Sequence, residues 1–171
     1  MKKLVVVFAS VLLFASCTQT KIGYVDVEEI MKEYDATKDV EAALKVDQEK
    51  MGKSLDSLSA AFQGKVEAYY KKAQRMSAKS RQTKEAELQQ EQQVIQQAQS
   101  QAQQVLQQKS QEGIEALTKT VDSVVNAYAT TNKFNMILGT SGNGTVMYGD
   151  DAMNLTETIL DVLNTSYDEK K

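Results

Sequence analysis

Residues 69–84, YYKKAQRMSAKSRQTK, carry Lys71, Lys72, Arg75, Lys79, Arg81 and Lys84 and no carboxylate, in a chain whose formal net charge is −3. Ammonium and guanidinium groups gathered in this way attract anions over a range that salt shortens. Their chemistry is recognition, of acidic protein segments, anionic lipid head groups or other polyanions, and the plain alternative is a solvated turn. Bond-making chemistry has few candidates. The chain has no His, which excludes Ser-His-Asp and Cys-His arrangements, imidazole metal sites and an imidazole base near neutral pH. Asp150 and Asp151 could serve a carboxylate hydrolase, but two acids after Gly149 read better as a turn leading into a helix. Neither a phosphate-binding glycine loop nor a metal-ligand motif is present in the sequence. The expectation is a protein that is not an enzyme and needs no cofactor or metal.

One further residue has chemistry of its own. The opening MKKLVVVFASVLLFASC has a basic tip, an apolar run too short to span a bilayer, and small residues before Cys17, the only cysteine of the chain. That order predicts an exported chain with a signal peptide over 1–16, followed by a short tether over 17–20. Cys17 stands where a bacterial lipoprotein carries its lipid; the other reading is a thiol near the cut, removed or left free. A lone thiol cannot form an internal disulfide, and an acyl anchor would hold the chain to a membrane surface without a spanning helix. Without residues 1–16 the chain keeps 18 basic and 23 acidic residues, a net of −5.

The elements that must position these groups follow from hydrophobic spacing. KIGYVDV, with Ile22, Tyr24, Val25 and Val27, predicts a strand, and EEIMKEY a short helix ending near Tyr34 with a polar turn after it. From Val40, apolar residues recur in steps of three and four through Leu44, Met51, Leu55, Leu58, Phe62, Val66, Tyr69, Ala73 and Met76, with Asp47 in the one gap. A second series runs from Leu88 through Ile95, Ala98, Ala102, Leu106, Ile114, Leu117, Val121 and Val124 to Tyr128. Both are long amphipathic helices of roughly 40 to 50 residues, or about 60 to 75 Å at the helical rise. Ser77 is a good N-cap for a returning helix, so the two runs predict a hairpin. Between Leu88 and Gln111, 13 of 24 residues are Gln, which suits a solvated helix face better than a prion-like tract because the apolar spacing persists.

KFNMILGTSGNGTVMYGDD then predicts two strands around TSGNG, and NLTETILDVLNTSY a closing helix with Asn154 and Glu157 as a capping pair. The fold class is α+β and mostly helical: a small β-sheet body over 21–37 and 132–171, and a long antiparallel helical hairpin over 38–131. The six cations then surround a hairpin tip far from an acidic body. Three strands and small helices make a poor core. Oligomerisation is the expected remedy, with Ile22, Val25, Val27, Ile137 and Val146 as its core and Met136, Leu138 and Met147 beside them.

KIGYVDVEEIMKEY and NKFNMILGTSGNGTVMYGDDAMNLTETILDVLN resemble the opening and closing segments of the Skp/OmpH-type periplasmic chaperones, and MSAKSRQTKEAEL is similar to that family's turn and returning helix. The resemblance covers about residues 21–164. It implies a homotrimer with helical tentacles enclosing a cavity, and ATP-independent holding of unfolded outer-membrane proteins in the periplasm. Lipid on Cys17 would depart from the family's soluble habit. The expected client-binding tip is Lys71, Lys72, Arg75, Lys79, Arg81 and Lys84, with Met51, Phe62, Tyr69 and Met76 either adding apolar contact or serving as helix–helix core. Nucleic acid is not an expected partner, because export removes the opportunity and only Tyr69 and Tyr70 could stack on bases. A tethering envelope lipoprotein with a coiled-coil spacer is the alternative function.

Overall fold

The computed structural model describes residues 20–141 and 146–169. The expected signal segment 1–16, Cys17 and most of the tether lie outside the described residues, as does the centre of TSGNG. The element order is β1 (Ile22–Asp26), α1 (Val27–Glu33), α2 (Asp35–Ala73), α3 (Ala78–Thr131), β2 (Met136–Thr140), a 3-10 turn (Asp151–Met153) and α4 (Thr156–Asp168). The chain divides into two compact units, Tyr34–Thr120 and the segments on either side of it.

In the flanking unit, β1 and β2 pair in parallel with Ile22 opposite Met136 and Asp26 opposite Thr140. α1 packs on α4, and both pack on β1. Val25, Ile30, Val121, Leu155, Ile159 and Leu163 form the buried apolar set of this unit, with Ile30 and Ile159 fully enclosed. Gly23 permits the close approach: a Cβ there would lie 2.5 Å from Leu155 Cδ1. One buried hydroxyl ties three segments together. Thr156 Oγ1 accepts from the Asp26 N–H at 2.9 Å and donates to Asn154 Oδ1 at 2.6 Å. Asp26 in turn caps α1, its Oδ1 accepting from the Glu29 N–H.

α3 ends in a Schellman turn. Lys133 takes a left-handed φ of 57°, and the Phe134 N–H reaches the Ala129 carbonyl at 2.9 Å. The start of β1 is fastened to this turn, since the Lys21 N–H donates to Asn135 Oδ1 at 2.8 Å and the Lys21 ammonium sits 4.0 Å from the Phe134 ring centre.

Three local expectations are corrected. The third strand is missing among the described residues: 146–150 form no strand, and the sheet has two strands. Here Gly149 packs against the Tyr24 ring, Asp150 Oδ1 accepts from the Ala152 N–H, and the Leu155 N–H bonds the Tyr24 carbonyl at 2.8 Å. Backbone groups are thus engaged in turns and in one bridge to β1, between Tyr24 and Asn154, rather than in a hairpin. The polar turn after Tyr34 is instead the first turn of α2, because the break is Tyr34 alone, extended at ψ 125°, with Asp35 placed favourably at the helix start. Asn154 caps through the Thr156 N–H at 2.9 Å rather than as a pair with Glu157.

In the hairpin unit α2 has 39 residues, about 58 Å at the helical rise. Asp47 pairs with Lys109, Lys65 with Glu91, and the Tyr69 hydroxyl donates to Glu85. Partner numbers fall on α3 as they rise on α2, so the two helices run antiparallel. Asp47 fills the gap in the apolar series with this cross-hairpin ion pair. The apolar stripe is only half covered: Leu44, Met51, Leu55, Phe62, Val66 and Met76 are half-buried, while Leu58 and Ile114 are exposed. Two helices enclose one side of each stripe and leave its margins to solvent.

Candidate functional site

Residues 74–77 connect the two long helices. The α2 side closes with the Arg75 N–H on the Lys72 carbonyl at 2.9 Å and the Met76 N–H on the Ala73 carbonyl at 3.2 Å. The α3 side opens with Ser77, whose Oγ accepts from the Ser80 N–H at 3.2 Å. Ser77 is the N-cap that its residue type predicts. Arg75 lies within this turn, and the other five cations flank it from both helices.

Their electrostatic settings differ. Lys71 and Lys72 lie in the last turn of α2, where the helix dipole favours positive charge. α3 has no acidic residue in its first turn. Lys79 and Arg81 stand there, against the dipole. Lys84 is paired with Glu87, but among the described residues no carboxylate lies within ion-pair distance of Lys71, Lys72, Arg75, Lys79 or Arg81. Five cations therefore remain without an acidic partner.

Beside the turn, α2 and α3 enclose an open groove of about 660 Å³. Phe62, Val66, Tyr69, Tyr70 and Leu88 line it with apolar surface, and Arg81 and Glu85 add charge. Glu85 accepts from the Tyr69 hydroxyl, and this hydrogen bond, then burial and the Glu85 charge, holds the phenol above the usual tyrosine range against the opposing Arg81 charge. A smaller hollow of about 280 Å³ includes Lys72, Met76 and Lys84. Of the expected apolar contacts, Phe62, Tyr69 and Met76 line these spaces; Met51 is half-buried along the hairpin and lines neither.

Sequence reasoning missed the groove and the two acids beside the cations, of which Glu87 pairs with Lys84 and Glu85 takes the Tyr69 hydroxyl. Glu85 and Glu87 follow the basic segment at once, Glu85 four residues after Arg81 and Glu87 three after Lys84, which is the spacing that places side chains on one helix face. That spacing was the available signal. Tyr69, by contrast, meets Glu85 across the turn, and only the hairpin register shows it.

The remaining candidates sit elsewhere. Ile22 is 41 % exposed, Val25 is buried within the chain at 3 %, and Ile137 and Val146 are half-buried. Val27 begins α1 rather than ending the strand, and Val146 belongs to no strand. Met136, Leu138 and Met147 are exposed. Cys17 lies outside the described residues. Asp150 is engaged in capping the 3-10 turn, and Asp151 is exposed within it. No helix of the described residues is long and apolar enough to cross a membrane.

With the hairpin, the small parallel sheet and the turn in place, comparison with known proteins is decisive. The family model described as "Outer membrane protein (OmpH-like)" matches residues 21–163. The chain belongs to the OmpH-like family. The match covers both units of this OmpH-like chain and bears out the expected family and the α+β, mostly helical fold class. A crystal structure of a candidate outer membrane chaperone (OmpH-like) from Caulobacter crescentus CB15 is similar, with a TM-score of 0.78 at 15% sequence identity over 88% of each chain. Among curated proteins, none matches.

Proposed function

We propose that this OmpH-like chain is an ATP-independent periplasmic holdase that keeps unfolded outer-membrane proteins from aggregating. The observation that carries the reading is the hairpin turn, where Lys71, Lys72, Arg75, Lys79 and Arg81 lack acidic partners beside a groove with an apolar floor. A holdase needs many weak contacts rather than one tight pocket, so that its client stays unfolded yet shielded. Unpaired cations supply attraction at a distance, and the half-covered stripe supplies adaptable apolar contact. Family membership and the similarity to a candidate outer membrane chaperone support the same reading. On this proposal the chain acts as a homotrimer, the role requires no catalytic residue, and a lipid on Cys17 anchors it to a membrane surface.

The test is light scattering from a denatured outer-membrane β-barrel protein diluted into buffer, with and without an equimolar amount of the mature trimer, without ATP, at low and high salt. Suppressed scattering that weakens with salt is expected, as is loss of suppression on reversing the charge of Lys71, Lys72, Arg75, Lys79, Arg81 and Lys84 together. A folded oligomer that fails to suppress scattering at either salt would favour the tethering lipoprotein. Suppression at low salt that survives charge reversal would remove the cations from the mechanism.

A further inference from the structure

We propose that the groove beside the hairpin turn is a receptor for a short extended polypeptide segment presenting a large apolar or aromatic side chain next to a carboxylate. For the identity of its occupant this inference rests on the holdase reading. A volume of about 660 Å³ falls in the range that encloses a small organic molecule, roughly 300–1,000 Å³. A few residues of chain fit; a folded domain does not.

The floor sets the apolar half of the specificity. Phe62, Val66 and Leu88 are half-buried, with one face against the hairpin and the other on the groove. Tyr70 is 70 % exposed, and its ring is tilted at 58° to that of Tyr69 with centroids 5.5 Å apart. Tyr70 and Leu88 line the same groove, so a guest ring can pack on Tyr70 in the offset or tilted geometry that aromatic quadrupoles favour.

Charge sets the other half. Glu85, the one carboxylate lining the groove, is occupied by the Tyr69 hydroxyl, whereas Arg81 lines the same groove with no acidic partner. Lys71, Lys72, Arg75 and Lys79, equally unpaired, surround the turn and add to the same positive field. An anion is the complementary guest, and a guanidinium can hold a carboxylate by two parallel hydrogen bonds. A lipid head group would satisfy Arg81 but leave Phe62 and Leu88 uncovered, so the combination of floor and rim favours a peptide.

The experiment uses the mature chain with 13C-labelled methyl groups, following Val66 and Leu88 by NMR. The probe is a hexapeptide of Gly and Ser, blocked at both ends, that carries one Phe–Glu pair. Saturable shifts at both residues are expected, and Phe→Ala or Glu→Gln in the probe should each weaken binding about threefold or more. Tyr70→Ser and Arg81→Gln in the protein should weaken it by about the same factor without lowering the thermal melt, because both side chains are exposed. The proposal fails if the probe gives no saturable shift, if only anionic phospholipid vesicles shift these methyl groups, or if neither protein variant alters binding. A chain that suppresses barrel aggregation yet ignores the probe overturns the groove and keeps the holdase. A chain that binds the probe at the groove but suppresses nothing supports the groove and overturns the holdase.

Discussion

Two single residues show how unlike the two units are. Thr156 is 2 % exposed and its hydroxyl joins the end of β1 to the start of α4 by accepting from Asp26 and donating to Asn154. Thr156→Val keeps the shape and leaves the Asp26 N–H without its acceptor, a loss of about 1–3 kcal/mol that chemical unfolding would register as a lower midpoint at unchanged slope. Asp47 works on the surface of the hairpin. Its hydrogen bond to Lys109, and then the Lys109 charge, hold its carboxyl below the usual carboxylate range. A depressed folded value means that the pair's contribution is present above the unfolded pKa of about 3.9 and is lost as pH falls through the lowered folded value. Asp47→Asn should accordingly flatten the acid limb of a stability–pH profile and leave the relative pH dependence above about pH 5 unchanged; an unaltered acid limb would show that the pair contributes nothing.

At the scale of the element, the start of α3 is arranged against its own stability. A first helical turn ordinarily gains from Asp or Glu, yet this one has no acidic residue and holds Lys79 and Arg81. The doubly substituted K79E/R81E chain should therefore be more stable, by about 0.3–1 kcal/mol per site, while capturing less client in the scattering assay. Opposite movement of the melting temperature and of capture would mark the two cations as serving recognition. If both fell together, the cations would be holding the turn closed. Much of this element was legible in sequence: steps of three and four define both helices, and Ser77 marks the return. The groove was not, because its floor comes from Phe62 and Val66 on one helix and Leu88 on the other, and their meeting depends on register.

For the whole molecule, the question is what covers the apolar surface that one chain leaves open. Ile22, Met136 and Leu138 on the two strands are between 39 % and 52 % exposed, and Met147 and Tyr148 in the following segment almost entirely so. β2 has β1 as its only strand partner among the described residues. The proposed trimer would bury this surface, each large side chain adding about 1.5–3 kcal/mol once enclosed. Leu138→Glu should then shift sedimentation from trimer toward monomer and make the melting temperature depend more steeply on protein concentration. A wild-type chain that sediments as a monomer at micromolar concentration would exclude the trimer.

By itself the sequence determined the helical hairpin, its cap at Ser77, a first strand within 21–27 and the family to which the chain belongs, because these follow from local spacing and residue type. The tertiary structure alone decided that α2 begins at Asp35, that 146–150 form no third strand, and that Glu85 engages Tyr69. Each of these depends on partners remote in the chain. Tyr24 meets Gly149, Thr156 meets Asp26 across 130 positions, and the two sides of the groove face one another only in a particular antiparallel register. Hydrophobic periodicity says which face of an element is apolar, but it carries no information about which other element will cover that face.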